Sequence, residues 1–173
     1  MTGLYCIYSM LVGATSPCPR GYHGDSFRQC TYPLSLVSRY QRRISGPFID
    51  WVDIFVEVPH IDYEKLTDDR LGEKSDKVRA RVEATHSLQR ERFNGTKLTC
   101  NAEMIPTGVR EFCRTEESAQ SLLKATTKQL YLAACTFHRI LKMGRTITDL
   151  ENTYIIKAHH VGEAVQYRPR SMV

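Results

Sequence analysis

The sequence is short of several features that would announce an activity. Its 173 residues contain no GxxxxGKS/T, no GxGxxG following a strand pattern and no GxSxG. The sequence therefore offers no loop of backbone N–H groups for a triphosphate, no dinucleotide fingerprint and no hydrolase elbow. No apolar run reaches the roughly 18 residues that span a bilayer, so no membrane segment is expected. The opening stretch LYCIYSMLVGA is apolar but short and has no basic leader, and it reads better as a buried strand than as a signal peptide. The six cysteines, Cys6, Cys18, Cys30, Cys100, Cys113 and Cys135, are scattered with no CxxC pair. Without a secretory signal they read as free thiols in a reducing cytoplasm. There is a single tryptophan, Trp51.

What is present is a globular composition, 42% hydrophobic and 25% charged, with room for one domain or two small ones. A net charge of +5 is compatible with nucleic acid but does not require it. Residues 4–15 read as a strand buried on both faces. A Pro- and Gly-rich irregular loop follows. Residues 34–45 read as a short basic helix, with Leu36, Val37, Tyr40 and Ile44 on its apolar stripe. In WVDIFVEV, Val52, Ile54, Val56 and Val58 alternate with Asp53, Phe55 and Glu57, which predicts a strand ended by Pro59. The pattern then becomes purely helical. The reading is a partial α/β piece over residues 1–60, a linker over 61–74 and an all-α domain of about five helices over 75–170. In that domain Ser75 and Thr115 are the expected N-caps, Val78, Val82 and Leu88 are apolar positions of the first helix, Asn94-Gly95 stops it, and Pro106 opens another.

Three groups invite a site. Cys18, His23 and Cys30 are possible metal ligands, but their spacing is wide and a fourth ligand is missing, so ordinary loop residues are the better reading. His159 and His160 are adjacent on a helix and point about 100° apart, which disfavours chelation of one ion; one is expected buried and one wet. Arg39, Arg42 and Arg43 could contact DNA or phosphate, against the plainer reading of a solvated helix face. No catalytic, cofactor-binding or metal residue is assigned.

The stretches LVGATSPCPRGYHGD, RYQRRISGPFIDWVDIFVEVP and FHRILKMGRTITDL with HHVGEAVQYR, taken in this order and spacing, resemble the C-terminal half of the magnesium-chelatase-like AAA+ ATPases, relatives of the bacterial competence protein M. The resemblance covers about residues 10–168. It implies a ring-forming family, hexameric, using ATP and magnesium, with an αβα core and a helical lid, and acting on DNA in branch migration. On this resemblance the chain starts after both Walker motifs and keeps the last two core strands and the lid.

The resemblance also implies where nucleotide would be met. The family has an arginine finger after the aspartate that is Asp50 here; this chain has Trp51. A sensor asparagine is replaced by Ser16, and a sensor arginine of the lid by Cys135. The family's loop often carries four cysteines, of which Cys18 and Cys30 remain while Arg20 and Tyr32 take the other places. Asp50, Arg43, His138, Arg139 and Arg145 match the family and are expected to be structural. The expectation is a truncated, degenerate portion that binds no ATP alone. The alternatives are a DNA-binding or ring-docking regulatory module, or one half of a split ATPase. Its partners would be an AAA+ subunit or DNA, with residues 1–60 loosely held in isolation or paired with each other in a way the family does not use.

Overall fold

The computed structural model describes residues 10–25, 27–44, 46–58, 72–130 and 132–168. The chain divides at residues 46 and 47 into two compact units.

In the first unit, residues 10–15 are exposed and belong to no strand. The expected buried strand over 4–15 therefore fails over its described part, and residues 4–9 lie outside the described residues. A strand needs a ladder partner for its N–H and C=O groups, and none is present among the described residues of the unit. Turns follow. Gly21 has φ +82°, and its N–H donates to the Cys18 carbonyl at 2.9 Å. The helix α1, Leu34–Gln41, starts after Pro33. The carbonyl of Pro33 accepts the N–H groups of Leu36 and Val37. Proline suits this place because it has no N–H to leave unpaired. Among the described residues of this unit Val37 and Cys18 are the buried apolar side chains, while Leu34 and Leu36 of the same helix stay exposed. The Gln41 amide ties the helix end to the Pro17 carbonyl at 3.1 Å.

Helix α2, Gly46–Trp51, begins at the boundary, and an extended segment over 52–58 follows in the second unit. The strand predicted for 52–58 is not formed among the described residues. Alternation gives a chain two faces, but a strand also needs a neighbour on its edge. Among the described residues this segment has one backbone link to the end of the helical domain: Phe55 N–H donates to the Tyr167 carbonyl at 2.9 Å. The remaining elements are α3, Ser75–Arg92; a 3₁₀ turn, Asn101–Glu103; α4, Pro106–Phe112; α5, Glu117–Gln129; α6, Ala134–Leu150; and α7, Ala158–Gln166. An all-α domain is what the sequence predicts here. The α/β remnant before it is not seen among the described residues.

Helix α6 is the axis. Ile140, Leu141, Gly144, Ile147 and Thr148 follow the helical spacing and are all buried. They pack with Phe93, Met104, Val109, Leu123, Ile156 and Val161 from the elements around them. Gly144 faces the start of α7, where a Cβ would sit in ordinary contact, 3.5 Å from Ile156 and 3.9 Å from the His160 carbonyl. Asn152, with φ 54°, turns the chain out of α6, and its N–H donates to the Asp149 carbonyl at 3.0 Å. A parallel bridge between Thr115 and Ile156 clips the start of α5 to the start of α7. Thr115 serves that bridge, and Glu116 takes the N-cap place.

Helix α3 departs from its expected packing. Its buried residues are the polar Thr85 and Gln89, while Val78 and Val82 are partly exposed. Polar chemistry explains this. Gln89 accepts the Asn101 N–H at 3.1 Å, and Arg92 at the helix end pairs with Asp149 of α6. Asp149 also accepts from Asn101 at 2.8 Å and from Arg145 at 2.7 Å. Arg145 in turn donates to the carbonyls of Thr153 and Tyr154. Three elements thus meet on one buried carboxylate. Arg145 is a fold pin, the structural role the sequence suggests for it.

Candidate functional site

The three arginines named from sequence stand together at the end of α1. Arg39 lies in its last turn, Arg42 is the C-cap and Arg43 follows; all three are exposed. The helix is shorter than the predicted 34–45, so Arg42 and Arg43 project from the terminating turn. The Arg43 guanidinium sits 5.9 Å from the Tyr40 ring centroid. No acidic residue occurs between Leu34 and Ile44, so this face carries positive charge alone.

Trp51 closes α2 with its side chain 75% exposed. Its carbonyl accepts from Arg139 of α6, and the same guanidinium nitrogen meets Asp53 at 2.9 Å. Arg168 donates to the Val52 carbonyl at 2.9 Å. Two arginines therefore hold the backbone of 51–53 on the helical domain and leave the indole free. Asp50 has no described side chain. Cys135, at the start of α6, is exposed, as is Ser16 in the first unit. None of the three nucleotide-facing positions named by resemblance carries a cation.

A groove of about 620 Å³ between α4, α5 and α6 was not foreseen. Leu123, Phe137, Leu141 and Cys113 form its apolar part, Arg110, Lys124 and Lys128 supply charge, and His138 adds an imidazole. Burial pushes the Cys113 thiol up to about 11, against the opposing pull of Arg145 and Arg92, so it stays a protonated apolar lining group. The i,i+4 pair Lys124 and Lys128 is the sequence signal that could have found the groove.

His159 and His160 come together in spite of their helical offset. Their ring centroids are 4.0 Å apart, and Glu151 Oε2 lies 3.2 Å from His159 Nε2 and 2.8 Å from His160 Nε2. Among the described residues this is the cluster of three metal-ligating side chains. Its chemistry points elsewhere. His160 is fully buried, and its Nδ1 accepts the Lys157 N–H at 3.0 Å. A backbone N–H can only donate, so Nδ1 accepts, and the ring's N–H is Nε2, aimed at Glu151. That nitrogen has no lone pair for an ion. His160 caps α7 and joins it to the end of α6. Hydrogen bonds from His160 and then His159 hold the Glu151 carboxyl below its usual range.

In the Pro- and Gly-rich loop, Cys18 and Cys30 are in contact, with Sγ atoms 3.6 Å apart. His23 does not complete a three-ligand group with them.

Comparison with known proteins accounts for both parts of the chain. The family model for the C-terminal part of the magnesium chelatase subunit ChlI matches residues 72–168, and the model for the magnesium chelatase subunit ChlI matches residues 3–66. The chain is 36% identical over 159 residues to the protein YifB of Escherichia coli strain K12, and 33% identical over 159 residues to YifB of Salmonella typhimurium. It is 34% identical over 160 residues to the competence protein ComM of Haemophilus influenzae. Each alignment covers 91% of this chain and 30% of the relative, so the chain spans about a third of their length. With the helical domain and the preceding segment both matched, the chain belongs to the magnesium chelatase family.

Proposed function

We propose that these residues form the lid and sheet-edge portion of a magnesium-chelatase-type ATPase, a degenerate portion that does not itself supply the cations of phosphoryl transfer. One observation carries the reading. The segment 52–58 has the alternation of a strand, yet Ile54, Val56 and Val58 are 50%, 69% and 84% exposed. A row of β-branched residues in an extended chain suits a sheet supplied by other polypeptide. Arg139, Arg168 and the Phe55 N–H hold this segment on the lid, as a sheet edge waiting for its neighbour would require.

The residues that the family resemblance sets against nucleotide do not fit ATP and magnesium. Trp51 is neutral, Cys135 offers a weak thiol donor and Ser16 a hydroxyl. An arginine finger contributes about 10³–10⁵ in rate, or roughly 4–7 kcal/mol of barrier, which an indole cannot replace. The portion would then serve an assembled ring by covering and docking.

The test is to mix the chain with a separate polypeptide carrying the Walker A and Walker B segments of a ComM-type relative. The complex should form, and Val56→Pro should abolish it by breaking the strand edge. The chain alone should hydrolyse no ATP. Hydrolysis by the chain alone, or a complex indifferent to Val56→Pro, would refute the proposal.

The arginine face supports a second role for the same portion, contact with the DNA backbone. Arg39, Arg42 and Arg43 are exposed within five residues and have no acidic residue between them to neutralise them.

A further inference from the structure

The two cysteines of the first unit form an arrangement that neither the lid role nor the arginine face uses. Cys18 is fully buried, Cys30 is half-buried, and their sulfurs touch at 3.6 Å. A disulfide needs about 2.05 Å between sulfurs, so a small rotation of side chains already in contact would bring bonding distance. The loop between them is organised to keep them there. Gly21 adopts φ +82° and bonds back to the Cys18 carbonyl at 2.9 Å. The Asp25 N–H meets the Tyr22 carbonyl at 3.2 Å, and the Asp25 carboxylate accepts the Phe27 N–H at 2.7 Å. Gln41 holds Pro17, the residue before Cys18, from the end of α1.

We propose that Cys18 and Cys30 are a reactive dithiol, a site of reversible oxidation by small-molecule disulfides. The half-buried Cys30 meets the reagent. Its thiolate attacks one sulfur of RSSR and expels RS⁻, which leaves a mixed disulfide on Cys30. The Cys18 thiolate then attacks Cys30 Sγ and expels the second RS⁻. The two thiol protons go to the two RS⁻, so one RSSR becomes two RSH while two cysteines lose two electrons to form the Cys18–Cys30 bond. The second step asks for a thiolate at a buried position. Burial by itself opposes that charge. The Arg20 N–H, the Cys30 thiol and the N–H groups of His23 and Tyr22 outweigh it and bring the Cys18 thiol below its ordinary range. The oxidised form would staple the loop against α1 and its arginines.

The test uses the whole chain carrying Cys6→Ser, so that the tryptic peptide 1–20 holds Cys18 as its single cysteine and 29–39 holds Cys30. The protein is treated with glutathione disulfide, its remaining thiols are blocked with N-ethylmaleimide, and it is digested. Peptide 1–20 joined to 29–39, with loss of two hydrogens, is expected as the dominant linkage. Adding Cys18→Ser should trap glutathione on Cys30, and adding Cys30→Ser should leave Cys18 without an adduct. The same treatment in urea should scatter linkages among all the remaining cysteines. A lasting glutathione adduct on Cys30 when Cys18 is present would overturn the proposal, as would the same linkage pattern with and without urea.

Discussion

Replacing Asp149 with asparagine is the sharpest perturbation the helical domain offers. The carboxylate is 1% exposed and meets Arg145, itself 2% exposed, and Arg92, 16% exposed. Asp149→Asn keeps the volume and removes the charge. It leaves the Arg145 guanidinium buried opposite a neutral amide. Breaking one side of a buried ion pair costs about 3–5 kcal/mol, where an exposed pair is worth under about 1. The whole domain is stabilised by only about 5–15 kcal/mol. For a domain near this size each kcal/mol moves Tm by about 4–8 °C, so Asp149→Asn should lower Tm by roughly 12–40 °C. Thermal unfolding followed by circular dichroism checks it. A drop of only a few degrees would show that solvent reaches the cluster and that the burial argument is wrong. The pH dependence gives a second reading of the same group. Burial alone would raise the Asp149 carboxyl; the bonds from Arg92, Asn101 and Arg145 reverse this and hold it below its ordinary value. Its contribution is therefore complete above the unfolded value of about 3.9. It is lost as acid takes the pH down through the folded-state value. The wild type should lose stability across that interval more steeply than Asp149→Asn.

Three further outcomes are expected. Gly144→Ala should stabilise the domain by about 0.5–1 kcal/mol, because alanine suits a helix interior better and its Cβ would make ordinary contacts with Ile156 and the His160 carbonyl; a loss of Tm would show that the α6–α7 approach cannot accept a methyl. Adding zinc should leave Tm unchanged, because the Lys157 N–H keeps the His160 proton on Nε2; a saturable rise abolished by His159→Ala would refute that tautomer. Changing Arg39, Arg42 and Arg43 together to alanine should weaken DNA binding uniformly across sequences and reduce the salt slope by about one per arginine; an unchanged slope would reject the DNA contact.

The helices were the legible part of the fold. Ile140, Leu141, Ile147 and Leu150 mark α6 by spacing alone, and Pro106 opens α4 as the first-turn position of proline predicts. Spacing misjudged α3, because Val78 and Val82 look like its buried stripe while Thr85, Gln89 and Arg92 make its contacts. That error is physical. A polar anchor is stabilised by its partner, and the partner Asp149 lies 57 positions from Arg92, beyond the reach of any local pattern. The His159–Glu151 contact escaped for the same reason. It depends on where α7 returns after Asn152 turns the chain, and on nothing within α7.

Neither predicted strand is formed among the described residues, and the segment 52–58 bears on function. Period-2 alternation over 52–58 reports what the segment is built to do when paired, and pairing is a property of the neighbour as much as of the segment. Here the helical domain holds one end of it through Arg139 and Arg168, and Val56 and Val58 remain in the open. On the proposed reading, that alternation suits a sheet completed by other polypeptide. Trp51 stands at that same junction with its carbonyl engaged and its indole exposed. An arginine side chain there could leave this surface and carry charge to a bound phosphate. The indole can only offer an apolar face, so this position brings packing where an arginine would bring charge.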